Sequence, residues 1–103
     1  MKSEKVGILE RTKLFALRII RLYSSLPKTT EAQVIGKQLL RSGTSVGGQV
    51  REGNRSRSDA EMISKTEGAL QELEETMYWL ELLTDAGILK AERLADLLNE
   101  RTS

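Results

Sequence analysis

Apolar side chains between residues 63 and 80 recur at alternating steps of three and four, and this spacing restricts the possible folds more than any other feature. The repeat comprises Ile63, Thr66, Leu70, Leu73, Met77 and Leu80. Such spacing places one stripe on a single face of an α-helix, and it suits helices that pack nearly parallel at a shallow crossing angle. The segment is therefore predicted to be one helix of a bundle.

Three further segments have the same helical period. The predicted helices run from Ser3 or Glu4 to Ser25, from about Thr30 to Gly53, and from about Lys90 to Arg101. Because short connections make neighbouring helices antiparallel, we predict one all-α domain over residues 1–103, folded as an antiparallel up-down-up-down four-helix bundle. In the last helix, Leu94, Leu97 and Leu98 are predicted to face inward.

Residues at the predicted helix ends have capping signals. Thr30 with Gln33 and Ser58 with Glu61 have the spacing of a capping box, so they predict the starts of the second and third helices. Gly53 is predicted to form a left-handed C-terminal cap of the second helix.

The chain contains neither cysteine nor histidine, and this excludes several classes of function. Disulfides, thiolate metal sites and the usual general base near neutral pH are all absent. The acidic face of the third helix comprises Glu67, Glu72, Glu74, Glu75 and Glu81. Di-iron bundles need histidine beside such carboxylates, so we interpret this face as solvated or salt-bridged. We expect no catalytic residue, cofactor, metal or membrane span, and a cytoplasmic location.

A segment rich in glycine and serine lies within the second predicted helix, from residue 41 to residue 48. A loop that cradles phosphate is one interpretation, but no Lys-Ser or Lys-Thr pair follows the glycines. The other interpretation is close helix packing, because Gly36, Gly43 and Gly47 fall on one side of the helix. Each glycine costs about 1 kcal/mol relative to alanine inside a helix, so we favour packing.

Charge is divided unevenly along the chain. Residues 1–57 carry 12 basic and 4 acidic residues, a net charge of +8, and residues 58–103 carry 4 and 11, a net charge of −7. The basic residues of the first two helices and the following loop are Arg11, Arg18, Arg21, Lys37, Arg41, Arg51, Arg55 and Arg57. Two hypotheses remain open. These residues bind a polyanion such as RNA or DNA, or they pair with the acidic third helix, within one chain or between copies.

The end of the third helix is apolar around almost its whole circumference. A helix that is apolar all round is buried all round. The fourth helix or another subunit must therefore cover it. The candidate residues of a subunit interface are Tyr78, Trp79, Leu82 and Leu83.

Two blocks of sequence carry a family resemblance. Residues 38–59 include the runs QLLRSGTSVG and REGNR, and residues 72–88 include ELEETMYWLELL and a following Gly-Ile. These blocks resemble the four helix bundle proteins that are also called ribosomal-RNA intervening-sequence (S23-type) proteins. The resemblance implies an up-down-up-down bundle, a ring-like homopentamer and no enzymatic activity. Relatives that are accessory proteins of diversity-generating retroelements look like basic pentamers that bind nucleic acid and a reverse transcriptase.

The sequence thus supports two functional hypotheses. The first is a non-enzymatic homo-oligomer that binds RNA or a nucleic-acid complex through the arginines of the first two helices. The second is a scaffold that binds a partner protein, in which the charges are structural.

Overall fold

The structure, a computed structural model, describes residues 2–99, with side chains from residue 7 onward. This part of the chain contains four helices and no strand, which confirms the predicted all-α four-helix fold. The helices are α1 (Lys2–Ser24), α2 (Thr30–Asn54), α3 (Asp59–Asp85) and α4 (Ala91–Leu98). The expected extension of the last helix to Arg101 lies outside the described residues.

Helix α2 lies between α1 and α3 and runs antiparallel to both. On its α1 side, Gly47 lies against Thr12 near one end and Gly36 lies against Tyr23 near the other. On its α3 side, the Gln49 side chain packs over Gly68, and Ser42 meets Thr76. Residue numbers therefore rise along one helix as they fall along its neighbour.

The caps agree with the sequence at α3 but differ at α2. Ser58 accepts a hydrogen bond from the Glu61 N–H at 3.1 Å, as the capping-box spacing predicts. At α2 the cap is Thr29 rather than Thr30, and its hydroxyl accepts from Ala32 N–H at 3.4 Å. The Gln33 side chain instead donates to the Pro27 carbonyl at 2.8 Å, which ties α2 to the preceding turn.

The predicted left-handed cap at Gly53 is wrong, because α2 continues through this residue to Asn54. Gly53 is buried, and a Cβ there would lie 3.2 Å from the Cβ of Lys65, so the glycine allows α3 to approach. Among the described residues, Gly87 alone has positive φ, at 77°. It follows α3, where a left-handed conformation ends the helix and glycine adopts it without strain.

Glycines bring α1 and α2 into close contact, as we predicted for this segment. A Cβ on Gly36 would lie 2.7 Å from a methyl of Leu26, and one on Gly43 would lie 2.9 Å from both γ-carbons of Ile19. Gly47 is less tight, at 3.4 Å from the Thr12 hydroxyl. The segment from residue 41 to residue 48 is entirely helical, so it is not a phosphate-binding loop.

The core lies where α1, α2, the C-terminal half of α3, and α4 with the turn before it meet. Its largest fully buried apolar side chains are Ile19, Leu22, Leu39, Leu80 and Leu83. Two hydroxyls are buried among them, with the Oγ1 of Thr76 2.8 Å from the Oγ of Ser42. Ser42 also donates to the Leu39 carbonyl, so its oxygen remains available to accept from Thr76.

The heptad stripe of α3 is largely exposed, contrary to the expectation that it packs within the bundle. Ile63 is 58% exposed and Leu70 is 60% exposed, and only Leu80 at the C-terminal end is buried. The side of α3 that packs on α2 is instead formed by Ala69, Thr76, Leu80 and Leu83. The reason is the position of α4, which covers one end of the bundle and leaves the other open.

In α4, only one of the three leucines predicted to face inward is fully buried. Leu97 is buried, Leu94 is half-buried against the core, and Leu98 is exposed. No helix in the described part of the chain has an apolar stretch long enough to cross a membrane.

The contact between Gly43 and Ile19 gives a testable prediction. Gly43→Ala should lower the free energy of unfolding by up to about 2 kcal/mol, because overpacking of a buried β-branched side chain costs about 1–3 kcal/mol and the gain in helix propensity returns about 1 kcal/mol. Urea denaturation followed by circular dichroism measures the change. Gly7→Ala is the matched control, since a Cβ there meets nothing within 4 Å. Equal stability of the two variants would contradict the packing role.

Candidate functional site

Arg41 connects α2 to the acidic face of α3. Its guanidinium pairs with Glu75 and lies 3.4 Å from a carboxylate oxygen of Glu72. The indole N–H of Trp79 donates to Glu75 at 3.2 Å. The hydrogen bond from Arg41, followed by the one from Trp79, lowers the pKa of the Glu75 carboxyl below its ordinary value. Arg41 therefore agrees with the hypothesis that the basic residues pair with the acidic third helix.

A second ion pair between the same two helices has the opposite polarity. The Nζ of Lys65 on α3 lies 2.8 Å from a carboxylate oxygen of Glu52 on α2. This hydrogen bond raises the pKa of the Lys65 ammonium. Two ion-paired clusters therefore border the α2–α3 contact. The first has its cation on α2, and the second has its cation on α3.

The other predicted basic residues of α2 lie on its outer face. Lys37, Arg51 and Arg55 are exposed, and within the described residues none of them forms an ion pair. Arg57 is also exposed and lies in the turn before α3, where its backbone N–H donates to the Glu61 carboxylate at 3.1 Å. Pairing with α3 therefore neutralises Arg41 but leaves this outer row of α2 facing solvent.

The basic residues of α1 lie elsewhere. Arg18 and Arg21 border a cavity of about 240 Å³ between α1 and α4, together with Arg93 and Asp96. Arg11 is exposed and lies two helical turns before Arg18, on the same side of α1. The eight predicted basic residues thus occupy three places: the α1–α4 side, the outer row of α2 with the following turn, and the α2–α3 ion pairs.

A groove between α1 and α2 includes a basic residue that sequence reasoning missed. The groove has a volume of about 240 Å³ and is lined by Lys13, Ala16, Thr44, Gly47, Gly48 and Arg51, among others. Lys13 follows Leu9 by four residues, on the side of α1 that meets α2. That spacing could have identified it. The groove connects α1 to the outer row of α2 through Arg51.

The predicted interface residues at the end of α3 differ in exposure. Tyr78 is 53% exposed, and its ring centroid lies 5.1 Å from that of Trp79. Trp79 and Leu82 are half-buried, and Trp79 packs against the core. Leu83 is fully buried within the chain, so it cannot contact a second copy and its assignment to an interface is wrong.

A larger apolar surface lies at the opposite end of the bundle. Exposed side chains of α3 border a groove of about 310 Å³ that α1 and α2 close from the other side. Its apolar lining includes Ile8, Val46, Val50, Met62, Leu70 and Leu73. The heptad spacing was the sequence signal for this surface, but spacing alone does not show whether a stripe is covered within the chain.

The acidic residues do not form a metal site in the described part of the chain. No three Asp or Glu side chains there come together in an arrangement that could hold a metal ion. Glu72 and Glu75 are engaged by Arg41, which accounts for part of the acidic face.

These features define a small antiparallel helical bundle with segregated charge and an uncovered apolar face on α3. The chain belongs to the family of 23S rRNA-intervening sequence proteins, whose model matches residues 4–103. It is similar to a solved structure from Bacteroides thetaiotaomicron VPI-5482, described as a protein with unknown function from the S23 ribosomal protein family. The two are 38% identical with a TM-score of 0.86, over 95% of this chain and 88% of that one. No curated protein matches the chain.

The Arg41–Glu75 pair predicts a titration. Arg41→Gln should raise the pKa of Glu75 toward its ordinary value, and carboxyl ¹³C NMR can follow it. Because the pKa of Glu75 is lower in the folded state, the pair stabilises the fold above the ordinary glutamate pKa of about 4.3 and stops doing so as pH falls through the lowered value. Arg51→Gln is the control and should leave Glu75 unchanged. An unaltered Glu75 titration in Arg41→Gln would contradict the assigned cause.

Proposed function

We propose that this chain is a non-enzymatic cytoplasmic module that assembles as a homopentamer and binds RNA through a basic surface on α1 and α2. The observation that carries the RNA-binding part is the outer row of α2, Lys37, Arg51 and Arg55. These three cations are exposed and have no carboxylate partner within the described residues. Cations so arranged neutralise phosphates and release condensed counterions when a nucleic acid binds.

The division of charge supports binding to a polyanion even though the net charge is only +1. Most acidic residues lie on α3 and α4, and α3 engages α2 through Arg41 and Lys65. Within the described residues, the cations of the outer row of α2 take no part in those pairs. A nearly neutral molecule can therefore present one basic face, because local potential depends on where the charges lie.

The exposed stripe of α3 supports the assembly part of the proposal. Exposed apolar side chains at heptad spacing are typical of helices that pack on another helix. Beside this stripe, Glu67, Glu74 and Glu81 are exposed, whereas exposed Arg11 and Arg21 lie on α1. This complementarity favours a second copy as the partner, with α3 of one copy on the basic α1 of the next. Such a head-to-tail contact produces closed rings when its rotation closes, and the number five rests on the family resemblance.

A scaffold for another protein is the second candidate, and the same stripe favours it. In that case the apolar groove of about 310 Å³ would accept a helix from a partner protein. The two candidates differ in what they require of the cations, since a scaffold needs no affinity for RNA.

Charge reversal on α2 tests the RNA-binding proposal. The double variant Arg51→Glu/Arg55→Glu should weaken binding to a fluorescein-labelled mixed-sequence RNA by at least about tenfold, because two phosphate contacts become repulsions. Fluorescence anisotropy at several salt concentrations measures the affinity. Lys28→Glu/Lys90→Glu is the matched control, with the same change in net charge at two exposed lysines outside α1 and α2, and should weaken binding less. If the wild-type chain shows no salt-dependent affinity for RNA, the scaffold is the better explanation.

Substitutions in the stripe test the assembly proposal. Ile63→Asp/Leu70→Asp should reduce the mass in solution to that of one 11.5-kDa chain, because two carboxylates in an apolar interface are costly to desolvate. Light scattering coupled to size-exclusion chromatography measures the mass. Both side chains are more than half exposed, so the fold of the single chain should survive. Tyr78→Asp tests the alternative patch at the end of α3. If only Tyr78→Asp dissociates the assembly, the stripe is not the interface.

A further inference from the structure

Gly48 is a glycine that packing within the chain does not explain. It lies inside α2, where glycine costs about 1 kcal/mol relative to alanine. The glycines at 36 and 43 offset that cost by allowing α1 to approach within contact distance. A Cβ on Gly48 would meet nothing within 4 Å, and the residue is exposed. Alanine would therefore fit at this position and strengthen the helix.

The surroundings of Gly48 indicate what approaches it from outside. It lines the groove between α1 and α2 whose basic residues are Lys13 on α1 and Arg51 on α2. Both side chains are exposed, and neither forms an ion pair within the described residues. The rest of the lining is Leu9 and five small residues, namely Thr12, Ala16, Thr44, Gly47 and Gly48. The groove thus has a low floor of helix backbone between two cations.

The lining of the groove also indicates which part of a nucleic acid it accepts. No aromatic side chain lines it, so bases have no ring on which to stack. The Thr44 hydroxyl donates to carbonyls of its own helix, at 2.8 Å to Leu40, and is not available to read a base edge as a donor. The groove therefore offers positive charge and access to the backbone of α2, and both suit the phosphate chain of a nucleic acid.

We infer that the groove between α1 and α2 is a seat for the sugar–phosphate backbone of RNA, held between Lys13 and Arg51 over Gly48. This inference rests on the proposed RNA binding and deepens it. It adds Lys13 and Gly48 to the site, and it makes binding independent of base sequence. Gly48 contributes by its lack of a side chain, which lets the phosphate chain approach the helix.

The test adds side chains to the floor of the groove. Gly48→Ala should weaken RNA binding about threefold and Gly48→Leu at least about tenfold, whereas neither should lower the melting temperature, because both residues are better helix formers than glycine. Gly7→Ala and Gly7→Leu are matched controls, because a Cβ on Gly7 also meets nothing within 4 Å and Gly7 does not line the groove. Anisotropy with labelled poly(U) and poly(A), melting temperature and mass in solution are measured for each variant.

Removal of the two cations gives an independent result. Lys13→Gln/Arg51→Gln should reduce the slope of log affinity against log salt by about 1.4, since each single-strand phosphate contact contributes about 0.7. The wild-type chain should bind poly(U) and poly(A) equally.

Each other outcome overturns the inference in a recognisable way. If the wild-type chain binds RNA and Gly48→Leu binds as well, the seat is elsewhere and the proposed function stands. If Gly48→Leu lowers the mass in solution, the groove is a contact between copies. A strong preference for one homopolymer would show that bases, not phosphates, are bound. No binding by the wild-type chain would overturn the proposed function and this inference together.

Discussion

The fold depends on how closely α2 approaches its two neighbours at once. Gly36 and Gly43 have no side chain at the positions where Ile19 and Tyr23 of α1, and Leu26 just after α1, pack against α2. On the opposite side, Gly53 and Ser42 do the same for α3. The small residues cost helix propensity, and the buried leucines that they allow to interlock compensate for that cost. The positions of the cations follow from this packing, because α2 turns one side to each neighbour and its outer row to solvent.

The segregation of charge has different effects on the two sides of α2. Near α3, carboxylates lie within reach, so Arg41 is used to join two helices and contributes little net charge at the surface. On the outer row no cation forms an ion pair within the described residues, so its positive charge is not neutralised by direct contact with a carboxylate. Helix geometry thus decides which arginines act as structural links and which remain available to an anion, although the sequence spaces them similarly. The net charge of the whole chain does not reveal this difference.

The sequence predicted the fold class and most helix bounds because helical period, capping residues and breakers are local signals. It also predicted the packing role of Gly36 and Gly43. It did not predict that Ile63 and Leu70 are exposed, because periodicity identifies a face but not what covers it. Leu83 was assigned to an interface for the same reason, although the chain buries it completely. The candidate site was only partly predictable: the basic residues were recognised, but their division among three surfaces depends on rotations of α1 and α2 that no local signal records.

Helix α4 is docked at one end of the bundle, mainly through Leu97 and the half-buried Leu94. A helix of 8 residues is not stable alone in water, so α4 is helical only while it stays docked. The molecule therefore has two cooperative units. One is the frame formed by α1, α2 and α3, and the other is the α4 segment, which unfolds locally at a lower free energy than global unfolding. Opening of that segment exposes Leu22 and the guanidinium-lined cavity beside it, so the amides of α4 exchange with solvent before those of the frame.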